Sequence, residues 1–184
     1  MNENDSMTVV VAEGETPSQA YGRLTVDVEK CTGCRCCELA CSLKNYQECN
    51  PSRARIYVVR SQVDGVITSI PVTCQQCEDA LCVAMCPAAA LSRNVETHAV
   101  VVDPDKCLGC RTCVEVCPFG APSVDPRTGQ AEKCDLCDGD PTCVKVCAEQ
   151  AISYVSAEEE SLHRKRSVVG KYLEYLRSVA SADV

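Results

Sequence analysis

Sixteen of the eighteen cysteines in this 184-residue chain fall into four runs of four. Run one is Cys31, Cys34, Cys37 and Cys41. Run two is Cys74, Cys77, Cys82 and Cys86, followed by Pro87. Run three is Cys107, Cys110, Cys113 and Cys117, followed by Pro118. Run four is Cys134, Cys137, Cys143 and Cys147. Thiolates are soft ligands suited to iron–sulfur centres and zinc. Three clustered thiolates with a fourth three residues on is the pattern that wraps a [4Fe–4S] cubane and sends the last cysteine to a neighbouring cubane. The two-residue gaps let the backbone curl around a cluster corner. The three-residue step makes roughly one helical turn, which carries the fourth sulfur away from the first three. A proline then redirects the chain. Structural zinc sites use two separated Cys-x2-Cys pairs per metal and do not account for this clustering. No Cys-x3-Cys-x2-Cys of the radical-SAM kind occurs. Sixteen thiolates at four per cluster imply four [4Fe–4S] clusters and a protein that moves electrons.

Composition supports metal over a large apolar core. There is one Phe, no Trp and six Tyr, so bound clusters are expected to contribute folding energy. The net charge of −8 argues against a nucleic-acid partner. No run of 18 apolar residues is present, so no membrane span is expected. The start, Met1 to Asp5, is acidic with no apolar h-region, and no twin-arginine pair precedes run one. The expected location is therefore cytoplasmic, where motif cysteines bind metal rather than form disulfides. No Gly-x-Gly-x-x-Gly and no nucleophile–base constellation is visible, so no catalytic residue is assigned.

The elements that must position these cysteines are short. Alternation at Leu24–Val28 and at Ala99–Asp103 predicts strands feeding runs one and three. The two lead-in segments share wording, Val-Asp-Val-Glu-Lys-Cys-Thr-Gly-Cys up to Cys34 and Val-Asp-Pro-Asp-Lys-Cys-Leu-Gly-Cys up to Cys110, which is an internal repeat of a ferredoxin unit. A hairpin is expected from Ile56–Val59 and Val66–Thr68 around Asp64-Gly65. A shorter pair is expected near 91–102, a turn at Asp125–Gly129, and a closing strand at Ala151–Val155. Residues 1–23 read as a flexible arm. Residues 156–184 read as an amphipathic helix, with a capping box from Ser156 and Glu159. Its apolar stripe is Leu162, Val169, Tyr172, Leu173, Leu176 and Ala180, and its basic run is His163–Arg166. Packing on its own domain and docking to a partner subunit both suit this helix. Cys36 and Cys49 are left over as small hydrophobes, and His98 and His163 fit no ligand pattern.

Runs two and three share Cys-Pro endings, whereas runs one and four have Ser42 and Ala148 there. This suggests nested pairing, two with three inside and one with four outside, with sequential pairing as the alternative. Nesting assigns Cys31, Cys34, Cys37 and Cys147 to one cluster, and Cys134, Cys137, Cys143 and Cys41 to a second. A third takes Cys74, Cys77, Cys82 and Cys117, and a fourth Cys107, Cys110, Cys113 and Cys86. The expected fold is α+β: two nested bacterial-ferredoxin-like units with β-hairpin insertions and a C-terminal helix. The cluster domain covers 24–155, its inner unit about 72–123 and its outer unit 24–71 with 124–155.

The runs, together with Cys37–Cys41, Asn50–Ile56 and Lys133–Pro141, resemble the polyferredoxin electron-transfer subunits related to the small subunits of hydrogenase, formate dehydrogenase and dimethyl sulfoxide reductase. The chain length and the wording Cys-Asp-Leu-Cys-Asp-Gly-Asp-Pro look most like the small subunits of tungsten enzymes of the aldehyde oxidoreductase type, including class II benzoyl-CoA reductases. That resemblance covers 24–155. It implies several [4Fe–4S] clusters in a row with nested pairing, and a large catalytic partner carrying tungsten-pterin. A further flavin or ferredoxin redox partner would complete the path. Run one departs from the pattern through Cys36. The alternative function is a free, soluble polyferredoxin, and a zinc-bound interaction module is a third.

Overall fold

The computed structural model describes residues 22–156, together with 159, 165, 168–170 and 172–173. The architecture is α+β, with short helices and four two-stranded antiparallel sheets. Strand β1 is Gly22–Val26, and helix α1 is Cys36–Tyr46. A 3-10 turn at Pro51–Arg53 leads into a hairpin of β2, Tyr57–Val63, and β3, Val66–Val72. Helix α2, Leu81–Ala84, precedes strands β4, Leu91–Arg93, and β5, Val100–Val102. Helix α3, Thr112–Glu115, precedes β6, Ser123–Val124, and β7, Ala131–Glu132. After a second 3-10 turn at Leu136–Gly139 come α4, Thr142–Lys145, and β8, Ile152–Ser156.

Three of the sheets join consecutive strands, but the fourth joins β1 to β8, with Leu24 opposite Tyr154 and Val26 opposite Ile152. Helix α1 packs on α4, and α2 on α3. Most of the expected strands form. The first begins two residues earlier than the alternation predicts and stops at Val26. There the Asp27 carboxylate accepts from the Glu29 N–H at 3.1 Å and turns the chain. The hairpin's first strand starts one residue later than expected but runs on to Val63, and its second runs on to Val72. Its two-residue loop, Asp64-Gly65, has φ 51° and 82°, the pair of positive values that a tight right-twisted hairpin needs.

The core has two parts. One gathers Leu24, Ile56, Val58, Leu136 and Ile152 with Cys37, Cys41 and Cys143. The other gathers Leu91 and Val100 with Cys82 and Cys113. Cysteines occupy places that aliphatic side chains hold in other small domains. Helix α1 is the longest helix among the described residues; Ser42 stands where runs two and three have proline, although α4 is short too with Ala148 at that place. Pro87 and Pro118 forbid continuation of α2 and α3. Ser42 instead continues the helix, and its hydroxyl donates to the Leu39 carbonyl and accepts from the Asn50 N–H, each at 3.0 Å. Cys37, Glu38, Cys41 and Ser42 form the buried face of α1. Glu38 is fully buried, and its Oε1 accepts from the Val58 N–H at 2.6 Å. It thereby fastens the hairpin to the helix.

Polar side chains close the outer part. Arg53 donates to both carboxylate oxygens of Asp125, at 3.1 and 2.6 Å, a forked geometry suited to guanidinium. Its guanidinium also lies 3.7 Å from the centre of the Tyr46 ring. Glu48 accepts from Arg53 at 3.1 Å and from Arg127 at 2.6 Å. The Tyr46 hydroxyl donates to Glu132, and Arg55 pairs with Asp135. The segment after run one is thus tied to the segment leading into run four.

The capping box forms: the Glu159 N–H donates to Ser156 Oγ and the Ser156 N–H to Glu159 Oε2, each at 3.1 Å. Val169, Tyr172 and Leu173 are helical and exposed. Leu162, His163, Leu176 and Ala180 lie outside the described residues, as does the arm up to residue 21. Among the described residues no helix is long and apolar enough to cross a membrane.

The internal repeat has a backbone counterpart. Gly33 and Gly109 have φ 69° and 65°, and Arg35 and Arg111 have φ 64° and 65°. A Cβ at Gly109 would stand 2.4 Å from the Gly129 carbonyl oxygen, and backbone cannot step aside as a side chain can. Gly109→Ala is therefore expected to displace the loop of run three. The check is iron content per chain and the visible iron–sulfur absorbance, which should fall relative to wild type while Gly170→Ala, in open space and without a left-handed backbone, leaves both intact.

Candidate iron–sulfur centres

All eighteen cysteines are free thiols, and two cavities each collect four of them. The larger, about 110 Å³, is lined by Cys74, Cys77, Cys82 and Cys117, with Leu81, Val100, Pro118 and Lys133 among its walls. The second is lined by Cys134, Cys137, Cys143 and Cys41, with Leu24, Ile56 and Leu136 beside them. In each, three cysteines come from one run and the fourth from another. Cys147 and Cys31 pack against the outer core that holds Cys37. Cys147 lies within electrostatic reach of Cys36, beside Cys34. Cys86 packs against the core cluster that holds Cys82, Leu91, Val100 and Cys113, and Cys113 feels Cys107 and Cys110. Cys36 and Cys49 are exposed and line neither cavity. His98 is half-buried at a turn, and its carbonyl accepts from Arg93 at 2.7 Å.

Local backbone conformation shapes these walls. The third residue after the last cysteine of runs two, three and four is left-handed: Ala89, Gly120 and Gln150 have φ 47°, 61° and 51°. In runs two and four that reversal lets the next N–H donate back to the sulfur, Ala90 to Cys86 Sγ at 3.3 Å and Ala151 to Cys147 Sγ at 3.2 Å. Run one cannot do this, since α1 continues. Cys41 Sγ instead accepts from the distant Arg55 N–H at 3.3 Å. In run four, Leu136, Cys137 and Asp138 are all left-handed, φ 61°, 50° and 57°, which curls the chain tightly between its first and third cysteines. Further N–H donors reach sulfur from Gln76 to Cys74 and from Ala131 to Cys107, each at 3.4 Å. Such bonds favour the thiolate.

Electrostatics also fit an iron centre. Burial pushes Cys37 up to about 12. Burial, aided by the charges of Cys41, Cys137 and Cys37, pushes Cys143 up to about 12. Burial likewise raises Cys41, Cys82, Cys113 and Cys134. These thiols resist ionising one beside another unless a cation takes up the charge, and a bound metal deprotonates its thiol ligands outright. The exposed thiols differ. The backbone N–H of Cys36 lowers Cys34, and the Thr112 hydroxyl lowers Cys110. The thiol sets, their inward hydrogen bonds and the cost of their charges suit a thiolate-bound cubane, which would supply one-electron chemistry.

Residues that the spacing does not reveal also surround the cavities. Lys133 donates to Cys74 Sγ at 2.9 Å, and Gln76 Nε2 donates to the Cys134 carbonyl at 2.8 Å, so the two cavities share a polar partition. The one available signal was a lysine directly before each of runs one, three and four.

Comparison with known proteins agrees with this chemistry. Residues 66–157 match the 4Fe-4S dicluster domain family. The chain is 36% identical over 165 residues to the polyferredoxin-like subunit of the aliphatic sulfonate oxidoreductase of Pyrococcus furiosus, covering 87% of this chain and 94% of that one. It is 36% identical over 152 residues to a polypeptide of the anaerobic dimethyl sulfoxide reductase of Escherichia coli, covering 73% of each. Among solved structures, the active site complex BamBC of benzoyl coenzyme A reductase is similar over 83% of this chain and 96% of that one, with 25% identity and a TM-score of 0.44. By its cysteine runs, its match to the family model and its likeness to the Pyrococcus subunit, the chain belongs to the 4Fe-4S dicluster family of polyferredoxin-like electron-transfer proteins.

Proposed function

We propose that the chain carries four [4Fe–4S] clusters in two nested pairs and passes single electrons between the catalytic subunit of an oxidoreductase complex and a second redox partner. The observation that carries this reading is the composition of the two cavities. Cys117 joins the first three cysteines of run two, and Cys41 joins the first three of run four. Each is the fourth cysteine of its own run, as crossed ligation requires. The same rule assigns Cys147 to the set of Cys31, Cys34 and Cys37, and Cys86 to that of Cys107, Cys110 and Cys113. The β1–β8 pairing and the packing of α1 on α4 support the outer pair, and α2 on α3 supports the inner. Cys134 and Cys74 lie within electrostatic reach of each other, so the two middle centres adjoin. Cys34 and Cys110 are exposed and belong to the two remaining sets, which makes them the natural points where electrons arrive and leave.

The relatives are themselves subunits of larger enzymes. One belongs to an aliphatic sulfonate oxidoreductase, another to dimethyl sulfoxide reductase, and a third is the electron transfer subunit PhsB of thiosulfate reductase from Salmonella typhi. We assign this chain a catalytic partner of the same general kind. The wording of Cys134–Pro141 favours a tungsten-pterin partner, and the exposed Val169, Tyr172 and Leu173 favour docking through the C-terminal helix.

Iron analysis tests the cluster number. Fully loaded protein is expected to hold about sixteen irons and sixteen acid-labile sulfides per chain, from four cubanes; a value near eight would leave room for only one pair. Crossed ligation is checked by Cys147→Ala. Spectroscopy should show damage to the cluster of Cys31, Cys34 and Cys37, with the cluster of Cys134, Cys137 and Cys143 intact, and the reverse pattern would exclude nesting. Removal of 157–184 should leave iron content unchanged while reducing co-elution with the large subunit, which metal analysis would examine for tungsten. If the full chain copurifies with no large subunit yet reduces soluble acceptors, it is a free carrier instead.

A further inference from the structure

Lys133 directly precedes run four, as Lys30 precedes run one and Lys106 run three. Lys30 and Lys106 are exposed, and each pairs with an aspartate three residues earlier, Asp27 at 3.4 Å and Asp103 at 2.9 Å. Before Lys133 the corresponding residue is Gln130, which offers no charge. Lys133 turns inward instead and is only 4% exposed. Its Nζ donates to Cys74 Sγ at 2.9 Å, to the Val100 carbonyl at 3.1 Å and to Gln76 Oε1 at 3.2 Å. All three ammonium donors are used, and none of the partners is a carboxylate. Gln76 is fixed in turn, accepting from the Val100 N–H at 2.9 Å and donating to the Cys134 carbonyl at 2.8 Å.

A buried ammonium is costly unless an anion balances it. The geometry offers the sulfur of Cys74, on the wall of the cavity shared with Cys77, Cys82 and Cys117. When that sulfur is an iron-bound thiolate, Lys133 faces negative charge, and the attraction grows as an electron arrives. Net charge and hydrogen bonds to sulfur set iron–sulfur potentials. We propose that Lys133 is a potential-setting residue. Its bond to Cys74 Sγ raises the reduction potential of the centre held by Cys74, Cys77, Cys82 and Cys117 relative to the same centre without that charge. This rests on the four-cluster reading above. The balance is one electron taken up from a one-electron reductant, with no bond made or broken.

The test is a redox titration of the loaded protein followed by electron paramagnetic resonance, with iron counted in the same samples. The signal altered by Cys77→Ser identifies the centre. In Lys133→Met with full iron, the reduced-to-oxidised ratio of that centre should fall at least tenfold at the wild-type midpoint, equivalent to about 59 mV for one electron. The other centres should hold their midpoints, and Lys133→Arg should stay near wild type. Where the Met variant sheds iron, Lys133→Gln, which keeps a donor without the charge, is read in its place. An unmoved midpoint with full iron overturns the inference, as does an equal fall in every centre. Iron loss in both neutral variants overturns it in favour of a purely structural tie. Wild-type protein with no cubane signal at all would overturn the four-cluster reading as well.

Discussion

The fold depends on bringing sulfur atoms from distant segments to common cavities without leaving their negative charge unbalanced. Cys41 and Cys134 are far apart in sequence yet line one wall, and so are Cys74 and Cys117. Burial raises Cys41, Cys134 and Cys82, so these walls suit a centre that takes up thiolate charge. The cavities and the core are consequently the same thing. Cysteines sit among Leu24, Ile56 and Ile152 in one cluster and among Leu91 and Val100 in the other, and metal binding is coupled to packing.

A chain so poor in large aromatic residues needs other ties, and polar groups supply them. Glu38 holds the hairpin backbone, and the forked Arg53–Asp125 pair joins the segment after run one to the β6–β7 turn. Both contacts are buried. They are specific as well as adhesive, since buried charges tolerate few alternative partners.

The internal repeat is preserved where geometry demands it and broken where the two copies have different neighbours. Gly33 and Gly109 keep the same left-handed turn. After the fourth cysteine the copies diverge: proline ends α3, whereas Ser42 lets α1 run on to Tyr46. The longer helix carries Tyr46 to the Arg53 guanidinium and to Glu132, a contact with no counterpart at run three among the described residues.

The sequence by itself determined the chemistry and most of the local structure. Cysteine spacing, turn pairs such as Asp64-Gly65, strand alternation and the Ser156–Glu159 box all act over a few residues, and such signals are written locally. It underestimated α1 and the hairpin, because their extra length is stabilised by packing and by buried partners of Glu38. It was silent on Arg53–Asp125 and on the partition between cavities. The Cys-Pro endings pointed to nested pairing and left sequential pairing open; the tertiary structure is what brings Cys117 to the cavity of run two and Cys41 to that of run four. It also decided the fate of three lysines that read alike in sequence. Lys30 and Lys106 find aspartates at the surface, while Lys133, beside Gln130, finds its partners 57–59 residues away at Gln76 and Cys74. A charge settles where the free energy of pairing exceeds the cost of leaving water, and that balance is set by three-dimensional neighbours rather than by the residues alongside.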